Sequence, residues 1–209
     1  MIITNARLPH EEQLNDILIE GDRITAVLPA GSGVRADEQI DAEGNLVSPP
    51  FVDPHVHLDA VLMSRFIRPN LSGTLLEGIE IWGECKRKAT GEDYREHASK
   101  VIEWYAAQGT MFLRSHVDTT SPGQQNIAAV REVADQMRHL VDIQLVAFPQ
   151  DGIYTYAAGE DDMRRAVDAG CDVIGGIPHN ELTREDGVRD VEFAFALAES
   201  MGLAVDIHC

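Results

Sequence analysis

The order of strand-like and helix-length segments constrains the fold of this 209-residue chain more than any other feature. From about residue 49 onward, short apolar runs alternate with segments whose apolar residues repeat at helical spacing, as Leu75, Ile79 and Trp82 do. Five strands are predicted in this part, and they follow one another at about 30 residues, the length of a βαβ unit. This alternation predicts a parallel sheet with helices packed against it.

Residues 1–48 carry a different pattern. Short runs rich in β-branched residues lie at 2–3, 16–19 and 23–27. Turn signals such as Gly21-Asp22 and Glu43-Gly44 separate or follow these runs. We therefore predict a small β domain, a half-sandwich, ahead of the main domain.

Composition and charge exclude several classes of function. The formal net charge is −18, and such a surface repels nucleic-acid phosphates and anionic lipids. No apolar run approaches about 18 residues, so no membrane span is predicted. The chain lacks the glycine-rich motifs of dinucleotide and P-loop sites. Cys85, Cys171 and Cys209 are scattered and odd in number, which favours reduced thiols and a cytoplasmic location over a disulfide framework.

Polar residues that can bind a metal or a substrate stand at the end of every predicted strand of the main domain. In chain order they are His55 with His57, His116 with Asp118, Gln150, His179 with Asn180 and Glu181, and His208. In a (β/α)₈ barrel the carboxyl ends of the strands meet at one mouth, where active sites lie. His55 and His57 are two residues apart in a strand, so their imidazoles share a face and can bind one cation.

The remaining candidates have less specific patterns. The Gln150 amide can donate and accept hydrogen bonds at once, which suits contact with a heterocycle edge. His116 fits a contact with the metal ligands or with the substrate, or else a core histidine. His179 and Glu181 fit either a position around the site or a solvated loop. Three further histidines are expected to face solvent, and one cysteine is expected to point away from the site: His10, His97, His139 and Cys209.

Several segments resemble the amidohydrolase superfamily, and within it the bacterial barrel-type cytosine deaminases. They are the HVH at 55–57, SGTLLEGI at 72–79, VAFPQ at 146–150, IPHNE at 177–181 with TRE at 183–185, and DIH at 206–208. The resemblance implies one divalent metal, Zn²⁺ or Fe²⁺, with His55, His57 and His208 as ligands. It also implies substrate contacts from Gln150, Leu75 and Phe148, and an oligomeric enzyme.

The resemblance also sets limits on this chain. It covers five of the eight strands, so we expect a partial (β/α)₈ barrel at 49–209 that belongs to a longer protein. The catalytic acid and the fourth metal ligand of the family are expected beyond residue 209. The lysines Lys86, Lys88 and Lys100 stand at no predicted strand end, which favours one metal over a pair bridged by a modified lysine.

Three functions remain open from the sequence. The first is metal-dependent hydrolytic deamination of cytosine or a related free pyrimidine-like base, with release of ammonia. The second is hydrolysis of another small nitrogen heterocycle, such as isocytosine, a triazine or an N-alkylated ring. The third is a metal-binding relic without catalytic activity.

Overall fold

The structure is a computed structural model that describes residues 1–208, so the expectation for Cys209 lies outside the described residues. The chain divides into two compact units, Met1–Pro50 and a second unit that begins at Phe51. The first unit is a four-stranded sheet in the order β3-β2-β1-β4. Its strands are β1 (Ile2–Arg7), β2 (Leu14–Glu20), β3 (Arg23–Pro29) and β4 (Gln39–Asp41). The predicted small N-terminal sheet is confirmed.

The second unit is a five-stranded sheet in which each strand pairs in parallel with the next along the chain, in the order β5-β6-β7-β8-β9. The strands are β5 (Phe51–Val56), β6 (Thr110–Asp118), β7 (Asp142–Phe148), β8 (Val173–Gly176) and β9 (Ala204–Ile207). The helices are α1 (Leu75–Lys86), α2 (Gly91–Ala107), α3 (Gln125–Gln136), α4 (Gly159–Asp168) and α5 (Arg184–Met201). The predicted α/β class and the parallel order are confirmed.

Strand periodicity sends alternate residues of the sheet to different surroundings. On β6, Leu113 and Val117 are buried in the main core, together with Ile102 of α2 and Ile127 of α3. The ring of His116, on the same strand, instead packs against the rings of His55 and His208. Because successive side chains of a strand point to opposite faces, the helices cover one face of the sheet and the histidines gather on the other.

Helix ends follow local capping signals. Thr90 and Asp93 form a capping box at the start of α2, with the Thr90 Oγ1 accepting from the Asp93 N–H at 3.3 Å. The last helix, α5, begins at Arg184. Thr183 caps it by accepting from the Asp186 N–H at 3.1 Å.

One histidine expected on the surface is in the core. His97 of α2 is 6% exposed, so the prediction of a solvent-facing side chain was wrong. Its Nδ1 has no hydrogen-bond partner among residues 1–208.

Within the same described residues, no helix combines the length and the apolar character that crossing a bilayer requires.

Candidate metal and substrate site

Imidazoles from the first and last strands of the second unit meet at the carboxyl ends of the strands. The Nε2 atom of His55 lies 3.4 Å from Nε2 of His57 and 3.1 Å from Nε2 of His208. His55 belongs to β5, His57 follows that strand, and His208 follows β9. Residues 153 positions apart in sequence are therefore brought together by the curvature of five parallel strands.

His116 is a fourth member of this cluster. Its ring is buried, and the ring centroid lies 4.4 Å from that of His55 and 4.8 Å from that of His208. The donor atoms of His55, His116 and His208 all lie within 4.8 Å of one another. The ring centroids of His57 and His208 are 6.4 Å apart. Two overlapping sets of three imidazoles thus share His55 and His208.

The cluster fits a divalent cation in its distances and in its charge state. Zinc–imidazole bonds of about 2.05 Å place tetrahedral donors about 3.3 Å apart, close to both contacts of the His55 Nε2. Burial, reinforced by neighbouring imidazoles, lowers the pKa of His57 and that of His208 to about 4. Both rings are therefore neutral at pH 7, the form in which histidine binds metals.

Phe148 lies behind this cluster. Its side chain is 1% exposed, and its ring centroid lies 4.4 Å from that of His208 and 5.6 Å from that of His57. An aromatic ring in these positions limits the orientations that the imidazoles can adopt. Phe148 is thus a neighbour of the candidate ligands rather than an exposed wall of a cavity.

An ion pair on the inner face of the sheet contacts His116. The Oδ1 atom of Asp206 lies 3.4 Å from Nε2 of His116, too poorly aligned for a hydrogen bond, and Arg114 Nη1 donates to Asp206 Oδ2 at 2.8 Å. Burial favours the neutral Asp206 carboxyl, but contacts with Arg114 and His116 outweigh it and lower the Asp206 pKa. A carboxylate therefore faces His116, whereas the His55 Nε2 faces two other imidazoles.

A cavity of about 320 Å³ opens beside His57. Its lining includes Leu75 of α1, Asp118 at the end of β6, and Gln150. The side chain of Leu75 is exposed here. The cavity volume lies at the lower end of the range of small-molecule pockets, about 300–1,000 Å³, and suits a single heterocycle. A second cleft of about 560 Å³ is lined by residues near the other ends of the strands and contains none of the predicted site residues.

The predicted residues after β8 take different positions. Asn180 Nδ2 donates to the backbone oxygen of Gln150 at 3.0 Å. The Glu181 carboxylate accepts from the backbone N–H of Ile153 at 2.5 Å. His179 is exposed and lines a separate cleft. Asn180 and Glu181 therefore contact the loop that carries Gln150, and His179 does not line the cavity beside His57.

Sequence reasoning missed Lys86 as a residue near the site. Its Cα lies on α1, as expected, but its buried Nζ reaches the strand end and donates to Asp118 Oδ2 at 3.0 Å and to Asp151 Oδ2 at 2.5 Å. Trp82, one helical turn earlier, donates to the same Asp118 oxygen at 2.7 Å. Their i,i+4 spacing places both side chains on one face of α1, but it does not indicate that this face meets Asp118.

Asp59 is a second residue that the sequence did not single out. Its buried carboxylate accepts from the Asp118 N–H and from Asn126 Nδ2, both at 2.8 Å. Burial, with a further contribution from the Asp118 charge, raises the pKa of Asp59 to about 7. This carboxyl connects the segment after His57 to the end of β6 and to α3.

Known proteins resemble the chain along its full length. No protein-family model matches it. It is 34% identical over 218 residues to N-isopropylammelide isopropyl amidohydrolase from Pseudomonas sp. (strain ADP), a match covering 100% of this chain and 52% of the relative. The crystal structure of 5-methylcytosine deaminase from Klebsiella pneumoniae liganded with 5-fluorocytosine superposes with a TM-score of 0.93 at 42% identity, covering 100% of this chain and 51% of that one.

A third similar protein is N-isopropylammelide isopropylaminohydrolase from Burkholderia multivorans ATCC 17616. Its crystal structure has a TM-score of 0.83 at 30% identity, and the match covers 99% of this chain and 52% of that one. The chain thus spans about half the length of the relatives it matches.

Proposed function

The chain belongs to the amidohydrolase superfamily, and from this premise we propose that the intact protein is a metal-dependent hydrolytic deaminase of cytosine or a related free pyrimidine-like base. The observation that carries the proposal is the histidine cluster beside a cavity of about 320 Å³ lined by Gln150. The 42% identity to 5-methylcytosine deaminase supports a pyrimidine over other small rings.

His55, His57 and His208 are the proposed ligands of one cation, Zn²⁺ or Fe²⁺. The His55 Nε2 atom faces both other imidazoles at distances suited to a shared ion. His116, which faces Asp206, is proposed to lie beside the ligands and to orient the reactants. A divalent cation in such a site activates water for hydrolysis near neutral pH.

Gln150 is the proposed residue that recognises the substrate ring. It follows β7 and lines the same cavity as His57. A primary amide offers a donor and an acceptor on one planar group. This pair matches the edge of a pyrimidine-like base, which also presents a donor and an acceptor side by side. Leu75 lines the same cavity, and its apolar side chain would contact the ring.

An N-alkylated heterocycle is a second candidate substrate. Two relatives are named as enzymes of N-isopropylammelide, and one of them is 34% identical to this chain. The two candidates differ in the amine that is released, because an unsubstituted amino group leaves as ammonia and an isopropylamino group leaves as isopropylamine.

The decisive assay is amine release by the intact protein, loaded with Zn²⁺ or Fe²⁺, from a panel of free bases. We expect ammonia from cytosine or a substituted cytosine at a higher kcat/KM than isopropylamine from N-isopropylammelide. The reverse order would make the second candidate the function. A protein with a full metal complement that releases no amine from any member would instead be a metal-binding relic.

Gln150→Ala is expected to raise KM for the best base of that panel by about tenfold to a hundredfold, since one or two hydrogen bonds of about 1.5 kcal/mol are lost. The metal content per chain should stay at the wild-type value, because Gln150 is not among the proposed ligands. Mass spectrometry of the metal together with steady-state kinetics checks both. A loss of metal equal to that of a histidine variant would reject this role for Gln150.

A further inference from the structure

The loop that carries Gln150 is held by side chains from the segment after the next strand. Residues 149–154 follow β7. The backbone oxygen of Gln150 accepts a hydrogen bond from Asn180 Nδ2 at 3.0 Å. The Glu181 carboxylate accepts from the backbone N–H of Ile153 at 2.5 Å and from that of Tyr154 at 3.1 Å. Two adjacent residues therefore fix both ends of a five-residue stretch.

Gly152 leaves the space that the Glu181 carboxylate occupies. A Cβ at this position would lie 2.9 Å from Thr155 Cγ2 and 3.0 Å from Glu181 Oε1, so at least one of these side chains would have to shift. The φ angle of Gly152 is +91°, a conformation that favours glycine. A glycine at position 152 therefore both permits this backbone conformation and leaves room for the Glu181 carboxylate.

The opposite side of the loop is also held. Asp151 accepts from Lys86 Nζ at 2.5 Å through its carboxylate, and from Thr155 Oγ1 at 2.8 Å through its backbone oxygen. The backbone that follows the Gln150 side chain is therefore anchored twice, at the Gln150 carbonyl by Asn180 and at Asp151 by Lys86. Its side chain is left to line the cavity.

We propose that Asn180 and Glu181 are positioning residues, which set the affinity for the substrate by fixing the backbone that presents the Gln150 amide. This inference rests on the proposed role of Gln150 in binding the base. Neither residue needs to touch the substrate, because the Asn180 amide is engaged by a backbone carbonyl and the Glu181 carboxylate by two backbone N–H groups. A hydrogen-bonded loop presents its side chain with less loss of conformational entropy on binding.

The test is a double-mutant cycle in the intact, metal-loaded protein, with the best base of the panel as substrate. The variants are Glu181→Ala, Gln150→Ala and their combination. We expect Glu181→Ala to raise KM about tenfold, equal to about 1.4 kcal/mol, with kcat within about threefold and unchanged metal content. In the Gln150→Ala background the same change should raise KM less than about twofold, because the group it positions is gone.

Two further variants separate positioning from general damage to the fold. Glu181→Gln keeps an oxygen that can accept from the two N–H groups, and its KM should lie closer to that of the wild type. Glu192→Ala removes an exposed glutamate from the following helix, α5, and should leave KM unchanged. These variants also cover the case in which Glu181→Ala does not fold.

The KM values of these variants distinguish failure of the positioning role from failure of the proposed role of Gln150. If Glu181→Ala leaves KM unchanged, or raises it equally with and without Gln150, the positioning role is overturned. If Gln150→Ala alone leaves KM unchanged while the protein still releases ammonia, the proposed role of Gln150 fails, and the positioning inference fails with it. A strong effect of Glu181→Ala that disappears in the Gln150→Ala background supports both.

Discussion

Replacing His55 with alanine is expected to remove the metal and to lower turnover by at least about a thousandfold. The Nε2 atom of His55 lies within 3.4 Å of both the other proposed donors, so its loss breaks two of the contacts that define the site. Without the cation, water loses the lowering of its pKa from about 16 toward 7, and a thousandfold loss corresponds to about 4 kcal/mol of barrier. Metal content per chain and kcat/KM at saturating metal measure the two effects.

The third ligand is decided by the same measurement on two more variants. We expect His57→Ala to lose metal and His116→Ala to retain it, because His116 faces Asp206 and His57 faces His55. The opposite pattern would assign the set His55, His116 and His208, whose donor atoms are mutually within 4.8 Å. His139→Ala is the matched control, since His139 is exposed near the end of α3.

The strand ends were predictable because the signals are local. Alternating apolar runs set the parallel order, and polar residues at the end of each run mark the edge where a barrel places its site. Histidines from the first, second and last of the five strands accordingly lie together. The HVH spacing and the family resemblance favour His57 over His116 as the third donor, whereas the donor distances also group His116 with His55 and His208.

His97 shows a signal that was present and was not used. The buried residues of α2 recur at helical spacing, namely Tyr94, His97, Ala98, Val101 and Ile102. This is the apolar face of an amphipathic helix, and His97 lies within it. Histidine is more often exposed than fully buried, but the helical period of α2 predicts a buried position for this one.

The contacts of Lys86, Asn180 and Glu181 were beyond reach for a different reason. Each joins residues from separate βα units, such as Lys86 and Asp151, which are 65 positions apart. No local pattern records which carboxylate a lysine on a helix will meet. The sequence therefore predicts the elements and the edge that hold the site, while the pairs that fix its loops follow from tertiary packing.

Lys86→Met is expected to lower the free energy of unfolding by about 3 kcal/mol. The Lys86 side chain is 5% exposed and that of Asp118 is 3% exposed, so the variant leaves a buried carboxylate without its cation. Losing one partner of a buried ion pair costs about 3–5 kcal/mol. The lower value applies because Asp118 keeps neutral donors, Trp82 Nε1 at 2.7 Å and the Thr120 N–H at 2.8 Å. Asp151 is 42% exposed on its side chain and can be hydrated.

Denaturant unfolding of the intact protein measures this effect against two references. Lys88→Met removes an exposed lysine just after the same helix and should change stability by less than about 0.5 kcal/mol. Adding Asp118→Asn to Lys86→Met should recover part of the loss, because the buried charge is then removed with its partner. Equal destabilisation by Lys86→Met and Lys88→Met would mean that the ion pair contributes no net stability. In that case the pair would serve to fix the ends of β6 and of β7 against α1, where Gln150 and the cavity lie.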